Sequence, residues 1–145
     1  MTSPCICARV RRAARALTNL YDAALAPVGI TVAQFSLLRN VERLSRPHLS
    51  ALAAATGLER STIGRNLRLL AAAGLVRMDA GDDRREKLVR LTAAGVAVLD
   101  RAIPLWKRVQ DTMERGLGQE GRSQLFELLA DVERLTGNEA GAISQ

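Results

Sequence analysis

The stretch that decides the fold covers residues 57–92 and reads GLERSTIGRNLRLLAAAGLVRMDAGDDRREKLVRLT. Within it, residues 60–73 predict a helix that ends at Gly74, because glycine is common just after the last turn of a helix. Two short runs follow, residues 75–78 and 87–91, whose apolar or alternating pattern is typical of β-strands, and a charged turn joins them. A helix followed by a charged hairpin is the element order of a winged helix-turn-helix. The sequence therefore predicts a mainly α fold with a small β-hairpin wing.

Three helices are predicted before this stretch. Residues 8–26 carry apolar side chains at helical spacing, and residues 48–55 form a short helix that ends at Gly57. Between them, Thr31 and Gln34 have the spacing of a capping box, in which two side chains bond free amides at a helix start. The helix opened by this box has an apolar stripe that should be buried, made of Val32, Phe35, Leu38, Val41 and Leu44. In the helix that starts near residue 60, the residues expected to point inward are Ile63, Leu67, Leu69 and Leu70.

After Thr92 the pattern becomes helical again. An apolar seam runs at three- and four-residue steps through Val96, Leu99, Ile103, Trp106, Val109, Met113 and Leu117. Pro104 should kink this helix. Beyond Gly116 and Gly118 a final helix carries Leu125, Leu128, Leu129, Val132 and Leu135, and the chain should fray from Gly137. Helices this apolar need a surface to pack on, and we expect the first helix and a second copy of the chain to provide it.

These elements predict one domain over residues 1–145. Its terminal helices, residues 8–30 and 93–137, would form a dimer, and residues 31–92 would form the winged helix-turn-helix lobe. The charge is unevenly distributed along the chain, since residues 1–99 carry a net charge of +8 and residues 100–145 carry −2. Of the 21 basic residues 19 are arginine, the better side chain for bidentate phosphate and guanine contacts, although arginine richness can also reflect genome composition. A basic N-terminal two-thirds followed by a mildly acidic helical end suits a protein that binds a polyanion and a protein partner.

The remaining composition excludes several other classes of protein. No apolar run approaches the roughly 18 residues of a membrane helix, and the N-terminus lacks the apolar segment of a signal peptide. We therefore expect a cytoplasmic protein that does not associate with membranes, whose two cysteines are normally reduced. The single histidine, His48, and the lack of any zinc-protease, phosphate-loop or Cys-x-x-Cys motif argue against an enzyme. His48, at the start of a short helix, suits a cap or a phosphate contact better than a catalytic base.

The helix that starts near residue 60 has polar side chains suited to DNA. In a helix-turn-helix the N-terminal residues of the second helix reach base edges, where arginine pairs with guanine and asparagine with adenine. The alternative is a solvated polar face with Ser61 as the helix cap. The residues predicted to contact DNA on this helix are Arg60, Ser61, Thr62, Arg65, Asn66 and Arg68.

The turn of the hairpin predicts a second DNA contact. Arg84 and Arg85 would lie at the tip, where an arginine suits the enhanced negative potential of a narrow minor groove. Asp83 fits there if it pairs with an arginine and holds it extended. The alternative is a solvated turn of mixed charge.

Residues 52–95 resemble the DNA-binding core of the MarR (multiple antibiotic resistance regulator) family. The resemblance rests on Thr56-Gly57-Leu58, on the pattern ST-x-x-R-x-L-x-x-L from Ser61, on Gly74-Leu75-Val76, and on DRR followed by V-x-LT-x-x-G up to Gly95. The segment before the capping box also matches the family pattern G-[IL]-T-x-x-Q-[FY] in Gly29, Ile30, Thr31, Gln34 and Phe35. These motifs are specific in combination, and the resemblance covers nearly the whole chain.

The resemblance implies a homodimer whose terminal helices form the interface and whose two winged helices read a pseudo-palindromic operator in double-stranded DNA. It implies that Arg85 is the minor-groove arginine and Asp83 its partner. Most members of the family are repressors that a small ligand or an oxidant releases, and no cofactor is implied. The ligand usually lies between the dimerisation helices and the DNA-binding lobe, and the corresponding side chains are Tyr21, Phe35, Leu38 and Trp106.

The cysteines allow three interpretations. In the branch of the family that senses organic hydroperoxides, a reactive cysteine lies fourteen residues before a tyrosine, and Cys7 and Tyr21 have this spacing. Nearby arginines favour a reactive thiolate, but this chain has Arg11 where the branch has a second tyrosine. Cys5 and Cys7 could instead be inert, or could bind a soft metal, although two thiolates do not complete a tetrahedral site. We predict no metal site.

One further class of function is open to the same fold. A winged helix can serve as a helical adaptor, a protein-interaction module that does not bind DNA. Such a module would show no salt-dependent binding to duplex DNA, whereas a DNA-binding regulator loses affinity as salt rises.

Overall fold

The structure, a computed structural model, describes residues 4–82 and 87–143. Its elements are α1 (Ile6–Leu25), a 3₁₀ turn (Ala26–Val28), α2 (Val32–Leu44), α3 (Leu49–Thr56), α4 (Arg60–Ala72), β1 (Val76–Ala80), β2 (Lys87–Leu91) and α5 (Ala93–Ile143). This order confirms the predicted helical fold with a two-stranded hairpin. The chain divides into two compact units, Met1–Lys107 and Arg108–Gln145.

The start of α2 is fixed from two directions. The predicted capping box is present, since Thr31 Oγ1 accepts a hydrogen bond from the Gln34 amide at 3.2 Å and Gln34 Oε1 accepts one from the Thr31 amide at 3.1 Å. In addition, Asp22 Oδ1 on α1 accepts a hydrogen bond from the Val32 amide at 2.7 Å. This second bond satisfies another amide at the helix start and ties α1 to α2.

The core of the first unit is built from leucine, isoleucine and valine. On α2, Phe35, Leu38 and Val41 are buried as predicted, whereas Val32 and Leu44, at the two ends of the helix, are only half-buried. Leu37 is buried as well, because α2 packs against α1, α3, α4 and β2 rather than on one side only. The largest fully buried side chains of this unit are Leu25, Leu37, Leu38, Val41, Leu52, Ile63, Leu67, Leu70, Val76, Val89 and Leu99.

The prediction that Leu69 points inward is wrong. Its side chain is 55% exposed, while Ile63, Leu67 and Leu70 on the same helix are buried. With 3.6 residues per turn, positions i, i+4 and i+7 share one side of a helix, and a residue directly before the last of them lies about 100° away. Leu69 therefore belongs to the outward side of α4.

The hairpin is joined to the helices along one edge. β1 and β2 pair antiparallel, with Val76 opposite Leu91 and Arg77 opposite Arg90. On the other edge of β2, Leu88 pairs with His48, and the Val89 amide donates a hydrogen bond to the Pro47 carbonyl at 3.0 Å. The segment before α3 thus covers this edge of the hairpin and fixes the hairpin to the helices.

The last helix departs from regular geometry at a glycine. Within the described residues of α5 the non-helical dihedral angles are those of Gly118 (φ 73°, ψ 167°), whereas the angles at Pro104, where we predicted a kink, are helical. Beyond Gly118, six large apolar side chains are between 36% and 64% exposed: Leu125, Phe126, Leu128, Leu129, Val132 and Leu135.

A separate property of the helices concerns membranes. Among the described residues no single helix has the length and hydropathy to span a bilayer, and only the bent pair formed by Ile6–Val28 and Val32–Leu44, at 71° to each other, meets both criteria together.

Candidate nucleic-acid interface

The outward side of α4 carries three of the six residues of this helix that the sequence assigned to DNA. Ser61, Arg65 and Arg68 are exposed and lie within an arc of about 60°, opposite the buried stripe of Ile63 and Leu67. A polar, basic surface is thus held rigidly by an apolar one, which is the arrangement that a recognition helix requires.

The first turns of α4 hold the other three predicted contacts. Arg60 is exposed, and Thr62 and Asn66 are half-buried. The Asn66 side-chain amide donates a hydrogen bond to the Thr62 carbonyl at 3.1 Å, which orients the asparagine along its own helix. The N-cap of α4 is Glu59, not Ser61, and its side chain makes no capping hydrogen bond. The alternative in which Ser61 serves as the cap is therefore wrong. Ser61 is the second residue of α4 and lies on the exposed side of the helix.

The three contacts predicted at the tip of the hairpin, Asp83, Arg84 and Arg85, lie outside the described residues. Their assignment to the minor groove stays a prediction. The described part of the hairpin adds residues that the sequence did not single out. Arg90 on β2 forms an ion pair with Asp79 on β1, in which Arg90 Nε lies 2.8 Å from Asp79 Oδ2.

His48 is the N-cap residue of α3, but its side chain makes no capping hydrogen bond. The predicted position of His48 at the cap of this helix is therefore confirmed, and a phosphate contact by His48 stays a prediction. The backbone of His48 also pairs with Leu88 on the hairpin.

Both cysteines lie at the start of α1. Cys5 is the N-cap residue and Cys7 lies in the first turn, and both are exposed free thiols. Cys7 and Tyr21 are on one continuous helix, so the helical rise separates them by about 21 Å along its axis. They cannot meet within one chain. Among the described residues, no group of three or more histidine, cysteine or acidic side chains is placed to hold a metal ion.

The side chains predicted to line a ligand pocket are partly brought together. The rings of Phe35 and Trp106 stack with centroids 5.6 Å apart and planes 26° apart, and Leu38 is fully buried in the same core. Tyr21 is half-buried. Surface grooves of about 420, 360 and 450 Å³ lie elsewhere and are not lined by these four residues. A ligand at this place would have to separate packed core side chains, and the pocket stays a prediction.

The helical core, the exposed basic side of α4 and the hairpin joined to α3 define a winged helix-turn-helix protein. The model of the MarR family matches residues 28–86. The M. tuberculosis transcriptional regulator MosR, solved in complex with DNA, is 41% identical, with a TM-score of 0.80 over 91% of this chain and 98% of that chain. The chain therefore belongs to the MarR family and is a DNA-binding transcriptional regulator.

Two further structures are similar. The transcriptional repressor CouR, solved bound to a 23-mer DNA duplex, is 28% identical, with a TM-score of 0.79 over 89% of this chain and 92% of that chain. MarR from E. coli, in its apo form, is 22% identical, with a TM-score of 0.69 over 90% of this chain and 98% of that chain, and shares the fold. A comparison with curated protein sequences found no significant match.

Proposed function

We propose that this protein is a repressor that binds a pseudo-palindromic operator as a homodimer and leaves it when a small ligand or an oxidant acts on it. The observation that supports DNA reading best is the division of α4 into a buried apolar side and an exposed side with Ser61, Arg65 and Arg68. The similarity to MosR, solved with DNA, and to CouR, described as a repressor, supports the same function.

The second unit supports the homodimer. Its exposed leucine, valine and phenylalanine side chains follow one another along the helix beyond Gly118. Contiguous apolar surface of this kind marks an interaction site, and the commonest partner of such a surface is a second copy of the same chain. A dimer would present two copies of α4 to half-sites about one turn of DNA apart, which accounts for a pseudo-palindromic operator.

The thiols support release by an oxidant. Cys7 is exposed in the first turn of α1, with Arg9, Arg11 and Arg12 close in sequence. Exposed thiols in electropositive surroundings are the ones that oxidants reach and convert to sulfenic acid. A small ligand at Tyr21, Phe35, Leu38 and Trp106 is the second candidate for the signal.

The test is binding of the purified protein to the DNA upstream of its own gene, with competitor DNA present. The measurement is made on reduced protein and again after an organic hydroperoxide. We expect tight binding that weakens as salt rises, with a slope of about −0.9 per phosphate neutralised. Binding lost on oxidation and restored by a thiol would support the thiol switch, and binding indifferent to the oxidant would favour a small ligand. A protein that binds no duplex at any salt concentration would contradict the proposal in favour of the adaptor.

A further inference from the structure

The solvent side of the hairpin carries an unusual set of charges. Side chains alternate along a strand, so Arg77 and Asp79 on β1 share a side with Leu88 and Arg90 on β2. Val76 and Val89 lie on the opposite side and are buried, which places the charged side toward solvent. On that side Arg77 is directly opposite Arg90.

One carboxylate organises the neighbouring arginines. Asp79 Oδ2 lies 2.8 Å from Arg90 Nε and 4.0 Å from Arg46 Nη2, which comes from the turn between α2 and α3. The side chains of Arg46 and Arg90 are still 60% and 44% exposed, against 31% for Asp79. The carboxylate is therefore the most covered member, and the guanidinium groups are presented to solvent. We name Arg46, Arg77, Asp79 and Arg90 the outer wing cluster, and its net charge is +2.

The turn that supplies Arg46 is strained. Ser45 and Arg46 both have positive φ angles, 51° and 59°, in a region that residues with a side chain rarely adopt. The next residues hold the turn in place, because the Pro47 carbonyl accepts a hydrogen bond from the Val89 amide and His48 pairs with Leu88. Arg46 is thus fixed beside Asp79 by the same contacts that join the hairpin to the helices.

Stability of the fold does not account for this arrangement. Ion pairs as exposed as these contribute little to stability. Two facing arginines repel each other across the strands, and two consecutive residues at positive φ store strain. Such features persist where they serve binding, and a surface with excess guanidinium groups suits phosphate groups.

We propose that the outer wing cluster is a phosphate-binding surface for the DNA backbone, separate from α4 and from the hairpin tip, and that Asp79 is its positioning residue. This inference rests on the proposed function. Arg46, Arg77 and Arg90 contact phosphates, and Asp79 holds two of them in place without touching the DNA. Phosphate contacts fix the position of a protein on the duplex and do not depend on sequence.

The decisive variant is Asp79→Asn, measured against Glu59→Gln on the DNA upstream of the protein's own gene. Each removes one acidic group from the first unit, but Glu59 is exposed and makes no capping hydrogen bond. We expect Glu59→Gln to bind as tightly as the wild type or more tightly. Asp79→Asn should bind about tenfold more weakly, with a salt slope shallower by about one, because the arginines lose their orientation. Equal or tighter binding by Asp79→Asn would overturn the inference, since Asp79 would then act only as a repelling charge.

Further variants separate positioning from folding. Asp79→Glu keeps the carboxylate and should restore part of the affinity, while thermal unfolding shows whether each variant is folded. Arg77→Gln leaves the ion pairs of Asp79 with Arg46 and Arg90 intact. It should make the salt dependence of binding shallower by about 0.9 on any DNA sequence, because one phosphate contact is lost. Arg101→Gln, exposed on α5 in the same unit, removes the same charge and should change the slope less. Equal salt slopes for Arg77→Gln and Arg101→Gln would overturn the proposal that the outer wing cluster binds phosphates. Wild-type protein without DNA affinity would contradict the proposed function as well, whereas a failure of these variants alone leaves it standing.

Discussion

Arg65 and Arg68 project from the side of α4 opposite Ile63 and Leu67, so their guanidinium groups are available to a ligand at no cost to the core. If Arg65 pairs with a guanine, Arg65→Ala should cost about 1–3 kcal/mol of binding free energy, because a bidentate contact is lost. The measurement is the affinity for the operator and for operators with single base changes. The variant should also lose its preference at one base pair. An equal loss on every sequence would identify Arg65 as a phosphate contact instead.

Cys7 and Cys5 are both exposed, yet only Cys7 lies inside α1. If Cys7 is the reactive thiol, Cys7→Ser should keep its DNA affinity after an organic hydroperoxide, because serine is not oxidised at this site. Cys5→Ser is the matched control and should still lose affinity. The assay is DNA binding before and after oxidation. Loss of binding in the Cys7→Ser variant at the wild-type rate would exclude Cys7 as the switch.

Some of these residue contacts could be predicted from sequence and others could not. The bonds between Thr31 and Gln34 follow from local spacing, and the structure confirms them. The bonds of Asp22 to α2 and of Asp79 to Arg46 join residues 10 or more positions apart, and no local pattern signals them. The prediction that Leu69 points inward is wrong because it follows from the apolar side chain alone and not from the position of residue 69 in the helical repeat.

Among the elements, α5 begins in close contact with the turn between α4 and β1. Thr92 Oγ1 donates a hydrogen bond to the Gly74 carbonyl at 2.6 Å and accepts one from the Gly95 amide at 3.0 Å. A Cβ atom at Gly95 would collide with the backbone carbonyl of Leu75, which also accepts a hydrogen bond from the Thr92 amide. Gly95 does not have a positive φ angle, so its backbone conformation does not require glycine. Glycine is needed at residue 95 because α5 approaches the Leu75 carbonyl too closely to leave room for a side chain.

Gly95→Ala should therefore destabilise the first unit by about 1–3 kcal/mol, the usual cost of forcing atoms into a packed site. The free energy of unfolding, from denaturant titration, measures this effect. Gly116→Ala on the same helix is the control. A Cβ there meets no atom within 4 Å, so alanine should be neutral or stabilise by up to about 1 kcal/mol. Equal stabilities for the two variants would contradict the close packing of α5 on Leu75.

At the scale of elements the sequence predicted order and type well. The helices and strands follow local periodicity, and glycine at residues 57 and 74 takes the positive φ expected at a helix end. The pairing of His48 with Leu88 was not predicted, because contacts between segments that are distant in sequence leave no periodic signal. The departure from helix at Gly118 confirms the predicted start of a separate final helix, and its absence from the dihedral angles at Pro104 has a physical reason. A proline can be accommodated within a helix whose dihedral angles stay regular, whereas φ 73° with ψ 167° strongly favours glycine.

At the scale of the whole molecule, the proposed homodimer depends on the exposed apolar side chains of the second unit. Leu128 and Leu135 are 64% and 57% exposed and lie on one side of their helix, seven residues apart. Leu128→Glu would place a charge in the middle of this apolar surface. We expect the variant to sediment as a monomer. The free energy needed to bury an unpaired carboxylate exceeds the free energy gained from the apolar contacts around it. Operator affinity should then fall by about 100-fold or more, since two linked winged helices bind far more tightly than one.

Ser123→Glu is the matched control for that substitution. Ser123 is exposed on the same helix and lies about 120° or more around its axis from each of the five exposed leucine and valine side chains beyond Gly118. It adds the same charge and should leave both the sedimentation behaviour and the operator affinity unchanged. A Leu128→Glu variant that stays dimeric would show that another surface holds the two copies together. A monomer that keeps full operator affinity would show that one winged helix is enough for tight binding. It would contradict the proposal that the operator is pseudo-palindromic because a homodimer binds it.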